Sequence, residues 1–218
     1  MNIEFQCTDS VLSNEEVVNV LNKVQDHNFV KKIACLPPYV KYIKNHFKDR
    51  YIISSIIDFP LGVLQTSHKL EVIKQSINDG CKSIEIVTPS FLINNKQTAK
   101  IKTDIEKCYD LCSNNSVSLH YILEYRAYNY ACLYRLIKNI IKFDLNNIYI
   151  STGNKLDDIV DHLIALAMIQ KEIPEVKVIP NANIYNDNHL NLLEKNKITH
   201  FRVNNTQILT NISQKYRI

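Results

Sequence analysis

Asn147-Ile148-Tyr149-Ile150-Ser151-Thr152-Gly153 is a short run of β-branched and aromatic side chains that stops at Ser-Thr-Gly. Such a run is a strand feeding a tight turn. Working outward from it, amphipathic helical segments lie near 129–143 and 155–171, and further strand-like runs lie near 117–124 and 176–181. The unit recurs along the whole chain. Strands are predicted near 3–6, 32–36, 51–57, 83–87 and 199–204, with helices near 13–27, 37–47, 67–78, 95–113 and 187–196 between them. Ser13 with Glu16 forms a capping-box pattern, Pro37-Pro38 opens a helix and Gly80 closes one. Strands separated by helices pair in parallel. Eight such units in 218 residues predict one α/β domain spanning 1–218, a (β/α)8 TIM barrel rather than an open doubly wound sheet.

Composition bounds the function. Apolar residues make up 45% and charged residues 22%, which are ordinary globular values. No apolar run approaches the ~20 residues that span a bilayer, and the opening Met1-Asn2-Ile3-Glu4-Phe5-Gln6 is no secretory leader. A soluble cytoplasmic protein without a membrane partner is expected. The six cysteines (Cys7, Cys35, Cys81, Cys108, Cys112, Cys132) are scattered through core-like segments, as in a reducing compartment. Cys108 and Cys112 have metal-compatible spacing but no second pair nearby, so packing is the expected role and no metal or cofactor is expected. A net charge of +4 is mild; it suits a small anionic or sugar ligand and does not call for nucleic acid. The basic stretch Lys31-Lys32, Lys41, Lys44, Lys48 and Arg50, interleaved with Tyr39, Tyr42 and Phe47, reads as a solvated face over an aromatic inner stripe.

The ordered motifs resemble the deoxyribose-phosphate aldolase family over nearly the whole chain. Asp58-Phe59-Pro60-Leu61-Gly62 is similar to the family's Gly-Phe-Pro-Leu-Gly turn, with Asp58 in place of the first glycine. Asn78-Asp79-Gly80-Cys81-Lys82 followed by Ser83-Ile84-Glu85-Ile86-Val87, then Ile122-Leu123-Glu124, then Ser151-Thr152-Gly153, follow in family order. The three glycines of the chain, Gly62, Gly80 and Gly153, all fall in these motifs. The resemblance implies a class I aldolase-like barrel, a lyase of deoxyribonucleotide catabolism that cleaves 2-deoxyribose 5-phosphate through a lysine imine, and a homodimer.

Carried over residue by residue, that site is rewritten. The imine-forming lysine maps to Tyr149, which cannot form an imine, and the second lysine maps to Ile179. The proton-transfer aspartate maps to Glu85, and the family's Gly-Gly maps to Ala182-Asn183. The phosphate-binding turn maps to Asn204-Asn205. Tyr149 is either a phenolic acid or base or a volume filler. Glu85 and Glu124 form either an inward carboxylate pair or structural partners for cations. Lys177, two residues before Ile179, shares its strand face by alternation, which would place an amine inside the barrel. Ser151, Thr152, Glu124, Asn204 and Asn205 are the candidate substrate contacts. Asp157, Asp158, Asp161 and His162 read as a helix first turn rather than a metal set, and Lys155 reads as an exposed residue at the barrel mouth. Two functions remain: a divergent member without imine chemistry that binds or scaffolds, and an active sugar lyase that uses a displaced amine such as Lys177.

Overall fold

In the computed structural model, which describes residues 1–154 and 158–217, eight parallel strands form one sheet in the order β7-β6-β5-β4-β3-β2-β1-β8. They are β1 (Asn2–Cys7), β2 (Val30–Cys35), β3 (Ile52–Ile57), β4 (Ser83–Val87), β5 (Ser118–Ile122), β6 (Asn147–Tyr149), β7 (Lys177–Ile179) and β8 (His200–Val203). Arg202 N donates to the Pro180 carbonyl at 3.0 Å across the remaining gap between the ends of β7 and β8, closing the barrel. The helices are α1 (Asn14–Gln25), α2 (Val40–Phe47), α3 (Thr66–Asn78), α4 (Ser90–Asn94), α5 (Thr98–Asn114), α6 (Tyr130–Ile140), α7 (Ile159–Glu172), α8 (Asp187–Lys195) and α9 (Thr206–Tyr216).

The element order follows the sequence expectation, with local differences. Beta6 and β7 are shorter than the runs 147–152 and 176–181, because residues beyond Tyr149 and Ile179 leave the sheet for side-chain-braced loops. The segment near 95–113 is preceded by the separate short helix α4, and a helix, α9, follows the last strand. Lys155 and Asp157 lie outside the described residues. Asp158 caps α7 by accepting from Val160 N, and Asp161 pairs with Arg126 Nη2 at 2.6 Å. No helix among the described residues is long and apolar enough to cross a membrane.

The pairing register sorts every strand residue to one of two faces. Toward the helices point Ile3, Phe5 and Cys7 of β1, Ile53 and Ile57 of β3, Ile84 and Ile86 of β4, Leu119 and Tyr121 of β5 and Phe201 and Val203 of β8, all buried. This apolar shell between sheet and helices is the main core. Inside the barrel the paired positions are mixed: Glu4, Gln6, Lys32, Ala34, Ser54, Ile56, Glu85, Val87, His120, Ile122, Tyr149, Ile179 and Arg202. Within the helix layer, Lys69 and Asp104 form a buried pair at 2.8 Å between α3 and α5.

The turn after β3 shows how little glycine this barrel needs. Asp58 has φ +66°, the left-handed region that glycine usually fills, and its carboxylate accepts from Val63 N at 2.9 Å and Leu64 N at 2.9 Å. Short polar side chains tolerate that conformation by bonding nearby backbone. Gly62 also has positive φ (+66°), and a Cβ there would meet the Thr88 carbonyl oxygen at 2.3 Å. Gly62→Ala is therefore expected to cost about 2 kcal/mol, read as a lower urea midpoint.

Candidate functional site at the barrel centre and mouth

A buried ionic layer crosses the lower half of the barrel. Arg202, fully buried on β8, forks onto Glu85 of β4 through Nη1–Oε2 and Nη2–Oε1, both 2.7 Å. The same guanidinium donates from Nη2 to Glu4 Oε2 at 2.6 Å and lies 3.9 Å from the Tyr149 ring centre. Lys32 of β2 reaches Glu85 Oε1 at 2.9 Å and donates to the Tyr149 hydroxyl at 2.7 Å. The Tyr149 hydroxyl in turn donates to Glu4 Oε2 at 2.7 Å, and Ser54 donates to Glu85 Oε1 at 2.7 Å. His200 Nε2 lies 2.8 Å from Glu4 Oε1. Two carboxylates and two cations thus neutralise one another, and six strands are tied together at one level.

The ionisation states follow from this packing. Burial pushes the Glu85 carboxyl up, but Arg202 and then Lys32 outweigh it and hold the group at about 2. Burial opposes ionisation of Glu4 too, yet Arg202, His200 and Lys32 keep it well below the usual carboxylate range. Burial and then the Glu85 charge raise the Tyr149 phenol well above its usual value. Tyr149 therefore remains a protonated donor at neutral pH. His120, edge-on to the Tyr149 ring, is pushed down to about 4 by burial and then by Lys32.

Toward the C-terminal ends of the strands the interior becomes apolar. Ala34, Ile56, Val87, Ile122 and Ile179 pack with Tyr149, and Phe59 lies against them. Beyond this layer a polar brace closes the strand ends. Thr152 Oγ1 donates to Glu124 Oε2 at 2.8 Å, and Gln6 Nε2 donates to the Thr152 carbonyl at 3.0 Å. Asn181 Nδ2 donates to Gln6 Oε1 at 2.8 Å and to the Ser151 carbonyl at 3.1 Å. The mouth above is a cavity of about 630 Å³ lined by Gln6, Thr8, Asp9, Ser10, Phe59, Asn154, Asn183 and Asn204 among others, within the size range of small-molecule sites. No lysine or arginine is among its described lining residues. A smaller cavity of about 200 Å³ opens at the N-terminal end, beside Lys32, Ser83, His120, Asn147 and His200.

The C-terminal mouth is where TIM-barrel enzymes place their chemistry, and relatives of this chain carry that architecture. No protein-family model matches the chain. It is 26% identical over 113 residues to the deoxyribose-phosphate aldolase of Staphylococcus epidermidis, a match covering 51% of this chain and 50% of that protein. To the deoxyribose-phosphate aldolase of Metamycoplasma hominis it is 24% identical over 142 residues, covering 65% of this chain and 64% of the relative. In such first matches the chain spans about half the length of its curated relatives. Among solved structures, the aldolase QR15 superposes with a TM-score of 0.86 at 16% identity, over 99% of this chain and 96% of that one. The tetrameric deoxyribose phosphate aldolase of Aeropyrum pernix gives 0.81 at 16% identity, over 100% and 91%. The chain has the barrel fold of the deoxyribose-phosphate aldolases and is similar in sequence to part of several of them.

Within this barrel the candidate residues separate into three places. Tyr149 and Glu85 meet at the ionic layer through Lys32 and Arg202. Ser151, Thr152 and Glu124 are buried in the brace and are not among the residues lining the mouth cavity. Asn204 lines the mouth and donates to Asn183 Oδ1 at 2.9 Å, whereas Asn205 caps α9 by accepting from Gln207 N at 2.8 Å. Lys177 corrects the expectation of an interior amine. It is the first residue of β7, exposed at the N-terminal rim, while Ile179 two residues later is buried. Lys177 and Ile179 share one face by alternation, but the strand starts at Lys177 and leaves its side chain at the rim. Among the described residues it is Lys32, from the stretch expected to form a solvated basic face, that brings an amine into the barrel interior.

Proposed function

We propose that this chain uses the family barrel to bind a small, neutral, polyhydroxylated molecule at its C-terminal mouth, in a binding or scaffolding role without imine chemistry. The observation that carries this is the apolar layer of Ala34, Ile56, Val87, Ile122 and Ile179, which stands between the mouth and the buried amine of Lys32. In the resemblance the two reactive lysines map to Tyr149 and Ile179. The phenol at that place is protonated and already bonded to Glu4, and the other side chain is part of the apolar layer. The mouth offers amides, hydroxyls and the Phe59 ring, groups suited to sugar hydroxyls and a C–H face, and no described cation for a phosphate.

Reduction with borohydride in the presence of deoxyribose 5-phosphate, followed by peptide mapping, is expected to leave no adduct on the mouth. Retro-aldol turnover is expected to be undetectable at high protein concentration. Calorimetry should show 2-deoxyribose binding at least tenfold more tightly than its 5-phosphate. A reduced adduct on a mouth residue, measurable turnover, or preference for the phosphate ester would each overturn this reading.

A further inference from the structure

Two cavities meet at the N-terminal end of the barrel, away from the mouth. The cavity of about 200 Å³ reaches Lys32 and Tyr149, and Ser118, His120 and Asn147 are among its walls. The same three residues line a neighbouring cavity of about 340 Å³ between α5 and the start of β6. Its other side carries Tyr109, Phe143 and Leu145, with the two ring centres 5.3 Å apart and tilted by 47°. Tilted aromatic pairs of this kind pack readily against a further ring. One hollow is therefore polar and the other aromatic, and together they reach the size of small-molecule sites.

Lys32 decides what the polar end accepts. An ammonium group has three protons to donate and no acceptor. One goes to Glu85 Oε1 at 2.9 Å and one to the Tyr149 hydroxyl at 2.7 Å. Glu4 Oε2, at 3.8 Å, is beyond hydrogen-bond distance, so among the described residues the third proton has no acceptor. The side chain keeps 12% of its surface accessible. An acceptor that binds there must be uncharged. Lys32 and Arg202 already balance Glu4 and Glu85, so a carboxylate or phosphate would bring an uncompensated charge into a largely buried layer. A cationic ligand would face Lys32 itself. We infer that this end of the barrel binds a small neutral molecule with an alcohol or amide oxygen on a short chain ending in an aromatic ring. The oxygen accepts from Lys32 Nζ, and the chain passes Ser118 and Asn147 so that the ring enters the Tyr109–Phe143 cavity.

The probe is 3-phenylpropan-1-ol, titrated into the isotope-labelled chain and followed by amide chemical shifts. Binding should saturate with a Kd of roughly 1 mM, the scale for a ligand of this size, with the largest shifts at Ser118, His120 and Asn147. Phenylpropanoate, of the same length with a charged head, and propanol, without the ring, should each bind at least tenfold more weakly. Ser118→Tyr and Asn147→Tyr, at the exposed starts of β5 and β6, fill the passage from either side. Each should weaken binding at least tenfold without changing the urea midpoint, whereas Asn204→Ala at the mouth should bind as the wild type does. Shifts confined to the mouth, no saturation, phenylpropanoate or propanol binding as tightly as the alcohol, or wild-type affinity in both tyrosine variants would overturn the assignment.

Discussion

Arg202→Met is expected to lower the unfolding free energy by about 3–5 kcal/mol, the range for removing one member of a buried ion pair. The effect should appear as a lower urea midpoint with an unchanged slope. Arg202 has no exposed surface, and its guanidinium answers four carboxylate contacts on Glu4 and Glu85 while stacking on Tyr149. Without it two carboxylates share one lysine and one histidine in a water-poor interior. The Coulombic attraction offsets the desolvation that ionising Glu85 requires, and methionine restores the volume but not the charge. Coupling provides the decisive control. Arg202→Met with Glu85→Met removes one charge of each sign, so the double variant should be at least 1 kcal/mol more stable than the sum of the singles. Arg202→Lys should fall between, because an ammonium cannot fork onto Glu85. A loss below 1 kcal/mol for Arg202→Met would mean that the layer contributes little to holding the strands together.

That layer also shows where the sequence was legible and where it was not. The βα alternation, the strand set and the family motifs can be read because the outward strand faces are apolar and the helices are amphipathic. The barrel interior is harder to read. Ile3-Glu4-Phe5-Gln6-Cys7 alternates apolar and polar residues, which in an open sheet means one face in water. In a closed barrel the same alternation turns Glu4 and Gln6 inward. Lys31 and Lys32 are adjacent and identical in type, yet one pleat separates an exposed side chain from one in the ionic layer. The available signal was Phe201-Arg202-Val203, an arginine between two apolar residues in a predicted barrel strand. Such a charge needs a buried counter-charge, and Glu4 and Glu85 occupy the matching inward positions. The fate of Ser151 and Thr152 was not visible, since their partners Gln6, Glu124 and Asn181 come from three other strand ends.

The same cluster makes stability depend on pH in two stages. His120 is held at about 4 by burial and then by Lys32, below the usual histidine value near 6.5. Between these values the unfolded chain binds the proton and the folded chain does not, so stability rises with pH across this window. The contribution is complete above about 6.5 and is lost as pH falls to 4, a loss of about 3 kcal/mol at 1.36 kcal/mol per pH unit. Glu85, held at about 2 against an ordinary value of 4.5, acts in the next window. Its depressed value adds stability above 4.5 that disappears as pH falls through 2, and Glu4 acts in the same direction. Urea midpoints should therefore decline continuously from pH 6.5 downward. His120→Gln removes most of the first stage, so its midpoint should fall much less than the wild type's between pH 6.5 and 4.5, the remainder coming from His27, which burial also holds below its usual value. If the wild type is itself flat between pH 6.5 and 4.5, His120 is protonated in the folded barrel. The edge contact with Tyr149 would then be made by an imidazolium, and Lys32 would have to move away from it.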